Sequence, residues 1–149
     1  MKRSFIAILI LVPLLLFVSC VSLKNSGNYD HTISVDGKNL LVEIVNTDDS
    51  RSKGLSGRSS LTEEQGMLFD FTNSEFRRPG FWMKDMKFDI DIIWINNNEI
   101  VGITDNVPAT YNNVNLPSYY PPSDITHVLE VNSDWAERNN VNVGDKVNF

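Results

Sequence analysis

The chain has a single cysteine, Cys20, among its 149 residues. Nothing beyond that position can form an internal disulfide, act as a thiolate nucleophile or build a cysteine metal site. Histidine is nearly as scarce: His31 and His127 stand far apart, without the paired spacing that zinc requires. Asp48-Asp49 and Asp89-x-Asp91 lack the spaced oxygen ligands of a calcium loop. Met67, Met83 and Met86, if exposed, would suit a soft metal such as Cu(I), but nothing in the sequence places them together. No metal or cofactor is expected. The chain contains no Gly-x-Ser-x-Gly, no P-loop and no dinucleotide fingerprint, which argues against a nucleophilic serine or cysteine enzyme. Positive charge is also short, with 13 Lys and Arg against 19 Asp and Glu. Nucleic acid is therefore not an expected partner, since it needs a basic face. There is no internal repeat.

What is present begins with an export pattern. Lys2 and Arg3 precede an apolar run from Phe5 to Val18, broken by Pro13, and Phe17-Val18-Ser19-Cys20 ends it. The run is too short and wrongly flanked for a stable membrane span, and reads as a signal peptide over 1–19. Its ending resembles a bacterial lipobox, with Phe17 where leucine is usual. Cys20 would then be lipidated and become the mature N-terminus. An ordinary signal peptide or an uncleaved anchor would leave Cys20 without a role. Residues 20–31 read as the lipidated cysteine and a flexible polar tether. Removing Lys2 and Arg3 leaves 11 cations against 19 anions, so attachment to a membrane would come from acyl chains rather than charge. The expected address is the cell envelope, on the outer membrane rather than the inner, because Val21 is not the aspartate that retains some lipoproteins.

Residues 32–149 read as a single domain, large enough to bury a core. Thr32 to Val35 alternates, Asp36-Gly37 is a hairpin turn, and Asn39 to Val45 follows as a second strand. Thr47 is a good N-cap for a short helix that would carry Arg51, Leu55 and Arg58 on one face until Gly57. Further strands are expected over 67–71, 81–84, 90–95, 99–104 and 127–131 and near 147. Residues 90–95 are apolar on both faces except at Asp91, as in a strand covered on both sides. Ser133 should cap a second short helix through Arg138. Residues 106–123 hold four of the six prolines and three of the four tyrosines, and read as either a functional loop or a cover over the sheet. The expected fold is mainly β (α+β): a small, mostly antiparallel β-barrel or bent sheet of about eight strands with two short helices.

Several short motifs in series resemble the bacterial and archaeal domain of unknown function 192 (DUF192). Its Arg-x-x-Gly-Leu-x-x-Arg is matched by Arg51, Gly54, Leu55 and Arg58, and its Gly-Met-Leu-Phe-x-Phe by Gly66 to Phe71. Phe-Trp-Met-Lys is Phe81 to Lys84, Leu-Asp-Ile becomes Ile90-Asp91-Ile92, Val-Leu-Glu is Val128 to Glu130, and Gly-Asp-x-Val is Gly144 to Val147. The match covers roughly 38–149. Departures include Asp85-Met86 for Asn-Thr, Ser56 for methionine and Asp89 for proline. The resemblance implies a small β-rich domain, often exported, and implies no activity.

Candidate site residues are Arg58, Trp82, Lys84, Asp91 and Glu130. If Asp91 and Glu130 face a cavity that Trp82 and Lys84 line, the cluster would suit a small polar or sugar-like ligand. The two carboxylates are also the candidate catalytic pair, acting as acid and base if their pKa values are pushed apart. The structural alternative is that Arg58–Asp91 or Lys84–Glu130 are ion pairs pinning helix and loops to the barrel. The leading functional expectation is a lipid-anchored envelope domain that binds a small ligand or protein partner without catalysis. The alternatives are a carboxylate-dependent hydrolase or lyase acting on a glycan or metabolite, and a structural or assembly module.

Overall fold

The computed structural model describes residues 27–110 and 114–149. The signal peptide, Cys20, most of the tether and Tyr111 lie outside the described residues.

The hairpin of β1 (His31–Val35) and β2 (Lys38–Val45) turns at Asp36 and Gly37. Both have positive φ, 46° and 78°, the paired left-handed conformations that a two-residue hairpin turn requires. Helix α1 (Asp48–Lys53) starts as the sequence indicates. Thr47 Oγ1 accepts from Ser50 N, and Ser50 Oγ accepts from Thr47 N, a reciprocal cap followed by acidic Asp48 and Asp49 in the first turn. It ends a turn earlier than expected, at Gly54, whose φ of 49° leaves the helical region. Leu55 and Arg58 therefore follow the helix instead of sharing its face. The α1 crossover returns the chain as β3 (Gln65–Asp70), parallel to β2, with Val42 opposite Gly66 and Ile44 opposite Leu68.

The remaining strands are β4 (Phe81–Trp82), β5 (Ile90–Asn96), β6 (Glu99–Val107), β7 (Ser118–Tyr119), β8 (His127–Asn132) and β9 (Val147–Asn148). Helix α2 (Trp135–Arg138) lies between the last two. Seven strands form one sheet in the order β6-β5-β8-β3-β2-β1-β9, antiparallel except for β2 and β3. The sheet curls into a half-barrel whose edges are drawn together at one corner. There Val147 N donates to Asn98 O, Ile100 N to Asp145 O and Gly144 N to Ile100 O. Among the described residues, nine strands and two short helices match the expected mainly β fold. Among the described residues no helix is long and apolar enough to cross a membrane.

Alternation along the strands sorts the apolar side chains into two cores. The face turned into the curl collects Val35, Leu40, Leu68, Ile93, Leu129 and Val147 with Trp135 and Ala136 of α2. The outer face collects Met67, Phe69, Ile92, Trp94 and Val128, covered by Leu55, Phe81, Met83 and Met86. Strand β5 is thus covered on both sides, as its composition indicates. Met67, Met83 and Met86 are buried in this second core, so the exposure that a soft-metal site would need is absent. The strand expected over 81–84 is only two residues long, and it pairs with β7: Phe81 opposite Tyr119 and Trp82 opposite Ser118. The Pro- and Tyr-rich segment therefore covers the sheet. Pro122 packs so closely over Gly102 that a Cβ there would meet its ring at 2.7 Å.

Asp91 is fully buried, and its partners are backbone amides. Its Oδ1 accepts from Asn106 N (2.9 Å) and Asp134 N (3.2 Å), and its Oδ2 from Ala136 N (3.0 Å). The carboxylate thus caps α2 from the sheet and ties down the end of β6. Ser133, expected to cap this helix, instead bonds to Asn106 Oδ1, and Asp134 at the N-cap position adopts a left-handed conformation with no side-chain cap. The two substitutions should therefore differ sharply. Asp91→Ala orphans three amides and should cost about 3 kcal/mol, roughly 10 °C in unfolding midpoint by circular dichroism. Ser133→Ala should cost about 1 kcal/mol or less. Equal losses would contradict the assignment of the cap to Asp91.

Candidate functional site

A cavity of about 240 Å³ opens on the outer face of the sheet, between the end of α1 and β4. Phe69 and Phe71 of β3 form one wall and residues 79–82 the other, with Leu55 and Met86 between them. The aromatic walls are held edge to face: Phe69 and Phe81 centroids are 4.9 Å apart at 74°, and Phe81 and Trp94 5.4 Å apart at 86°. Gly54 allows α1 to end close to this wall, since a Cβ there would lie 3.3 Å from the Phe69 ring. Arg51 fixes the same end of the helix. Its Nη1 donates to Asn46 O and Asp70 O, its Nη2 to Asp48 Oδ1, and its guanidinium lies 4.9 Å over the Phe71 ring. Phe76 and Trp82 stand exposed among the lining residues, and Tyr120 lies exposed against Gly80.

Glu130 is the buried acid in this cavity; Asp48, the other acid that lines it, is exposed at the rim. Glu130 is only 5 % exposed; no described residue hydrogen-bonds its carboxyl, whose oxygens are not sealed off but reach the cavity. The sheet register puts it there. Glu130 sits between Met67 of β3 and Ile92 of β5, apolar side chains on the same face. Burial pushes its pKa up to about 8, against a smaller opposing pull from the Arg58 guanidinium. At neutral pH the group is therefore mostly a neutral acid, able to donate one hydrogen bond.

Of the five residues proposed from the sequence, only Trp82 and Glu130 share this cavity. Asp91 does not converge with Glu130. In the β5–β8 register Ile92 lies opposite Glu130 and Asp91 opposite Val131, so the two acids project from opposite faces of the sheet. They cannot act together on one substrate as acid and base. Neither proposed ion pair forms. Arg58 Nη2 bonds to Glu43 Oε2 at 2.7 Å and its Nη1 to Tyr29 Oη at 2.8 Å, while Lys84 is exposed and has no ion pair among the described residues. Glu43 occupies the same sheet row as Glu130, two strands away. That row brings Arg58 near Glu130, but its only ion pair among the described residues is with Glu43.

Sequence reasoning missed the phenylalanine walls. The signal was available in Gly66 to Phe71 and Phe81 to Lys84, where phenylalanines recur at short intervals in two segments that the fold brings together. No cluster of three or more His, Cys, Asp or Glu suited to a metal occurs among the described residues.

The raised pKa of Glu130 has a consequence for stability. Between the ordinary value of 4.5 and about 8 the folded protein holds a proton that the unfolded chain has released. Stability from this group is therefore full below pH 4.5 and falls as pH rises through that window. Glu130→Gln should remove this slope and, at pH 7, make the protein more stable by at most about 3 kcal/mol. Denaturant unfolding of both forms from pH 4 to 9 checks it. Parallel pH profiles would contradict the burial of an unpaired carboxyl.

No curated protein matches the chain. Two solved structures are similar to it. A protein of unknown function from Novosphingobium aromaticivorans has a TM-score of 0.71 at 26% identity, over 79% of this chain and 84% of the other. A candidate transcription regulator from Sinorhizobium meliloti has a TM-score of 0.68 at 28% identity, over 78% and 90%. The DUF192 family model, described as an uncharacterized ACR, matches residues 31–149, which take in both cores and the whole cavity. The chain belongs to the DUF192 family.

Proposed function

We propose that this protein is an exported, lipid-anchored domain that holds a small ligand in the cavity between α1 and β4, without catalysis. The observation that carries the binding reading is Glu130: a buried carboxyl with no hydrogen-bond partner among the described residues, in an aromatic-walled cavity. Burying a carboxyl to this degree costs stability, and a ligand with a matching polar end would relieve that cost. The walls favour a ligand that is apolar over most of its surface, with one polar end at Glu130, over the sugar-like ligand suggested by the sequence. A non-catalytic role is supported by the separation of Asp91 and Glu130 on opposite faces, which leaves Glu130 with no acid beside it but Asp48 at the rim, itself paired with Arg51.

A protein partner is the second reading. It is favoured by Phe76, Trp82 and Tyr120, exposed large aromatics grouped about the cavity mouth. The transcription-regulator description of the Sinorhizobium meliloti protein finds no support in the charge of this chain, −6 overall. The anchor at Cys20 and the envelope address rest on the leader pattern alone.

Two measurements test these readings. In thermal unfolding against a fragment library, a true ligand at a hundred times its Kd should stabilise the protein by about 2.7 kcal/mol, roughly 10 °C. That gain should shrink in Trp82→Ala and in Glu130→Gln; a gain undiminished in the double variant would remove the cavity as the site. For the anchor, mass spectrometry of protein recovered from bacterial membranes should find an N-terminal peptide starting at Cys20 with acyl mass added. An unmodified Cys20 inside a longer peptide would end that proposal.

A further inference from the structure

The charged groups near Glu130 are all committed elsewhere or turned to solvent. Arg58 is held by Glu43 and Tyr29, and Arg51 by Asp48 and two backbone carbonyls. Lys53 is exposed at the rim, as is Asp48. From the sheet itself, the cross-strand neighbours Met67 and Ile92 offer no charge. The buried carboxyl of Glu130 thus feels Arg58 only at a distance and has no cation in contact with it, in a cavity whose walls are aromatic.

Aromatic faces carry negative potential and attract cations, most strongly where water is excluded. A neutral ligand could offer Glu130 one acceptor, whereas an ammonium group offers a full charge and three donors. The acidic balance of the chain also concentrates cations around it. We propose that this cavity, which the preceding section reads as a ligand site, takes a primary ammonium ion on an apolar body. The ammonium pairs with the Glu130 carboxylate and the body lies among Phe69, Phe71, Phe81 and Trp82. The amine enters already protonated, and the proton that Glu130 carries near pH 7 leaves to solvent. The bound state is an ion pair, and binding releases up to one proton.

The test is calorimetric titration of the full-length protein in mild detergent. The probes are phenethylamine and its near-isostere 2-phenylethanol, at pH 7 in two buffers of different ionisation enthalpy. Phenethylamine should bind about tenfold or more tightly than the alcohol and release a proton. Glu130→Gln, which relieves a buried acid and should fold, is expected to abolish both the preference and the proton release. Trp82→Ala, at a half-exposed position, should weaken both probes alike. If the alcohol binds as well as the amine, with no proton released, the ammonium inference is overturned and the cavity stands as a ligand site for neutral molecules. If neither probe binds, both readings fall. A preference for the amine that survives Glu130→Gln would remove Glu130 as its counter-ion.

Discussion

The register between β5 and β8 is the constraint on which the rest of the molecule depends. Setting Ile92 opposite Glu130 and Asp91 opposite Val131 assigns every side chain of the two central strands to one core or the other. It sends one acid to the end of the curl, where α2 needs a cap, and the other to the outer face, where α1 and β4 close over it. A slip of one residue would put Trp94 and Ile92 into the curl and Ile93 and Ile95 outside it. Both acids would then sit where nothing is built for them. Apolar residues on both faces ordinarily leave register weakly specified. Here the two carboxyls act as markers, because each is tolerable on only one side.

The two acids show opposite ways of burying a carboxyl. Asp91 is stabilised by three backbone amides and serves as a structural joint between sheet and helix. Glu130 has no such partners and retains its proton well above the ordinary range, which costs stability at neutral pH. A domain of this size has only about 5–15 kcal/mol of stability in total, so such a group is a large concession. This acid without a protein partner, in a shaped cavity, is the observation on which the proposed ligand site rests.

Local chemistry was legible in the sequence wherever it was self-contained. Asp36-Gly37 specifies its turn by backbone preference alone, Thr47 and Ser50 cap each other within one helical turn, and the covered character of 90–95 follows from its composition. The series of short motifs was enough to indicate the family. What could not be read were arrangements fixed by partners distant in the chain. Nothing near Ser133 reveals that Asp91 caps the following helix, because that bond crosses from another strand. Composition shows that Asp91 and Glu130 are buried but not on which face, since facing depends on pairing register. Lys84 and Arg58 looked like partners for these acids only because charge can be counted in a sequence and distance cannot. Phe69, Phe71 and Phe81 belong to the core, and one edge of that core is open.

Closure of the sheet joins opposite ends of the domain. Strand β9 pairs with β1 through Ser34 and Val35, its own Val147 N donates to Asn98 O in the turn before β6, and Asp145 O accepts from Ile100 N of β6. Neither edge is protected until Val147 is in place, so the half-barrel cannot be completed piecemeal as the chain emerges. Contacts this distant in sequence make folding slow relative to a helical domain of similar length. Until that last strand arrives the sheet stays open. The same delay leaves long unpaired strand edges exposed, so the period before closure is when the chain is most vulnerable to pairing with another copy of itself.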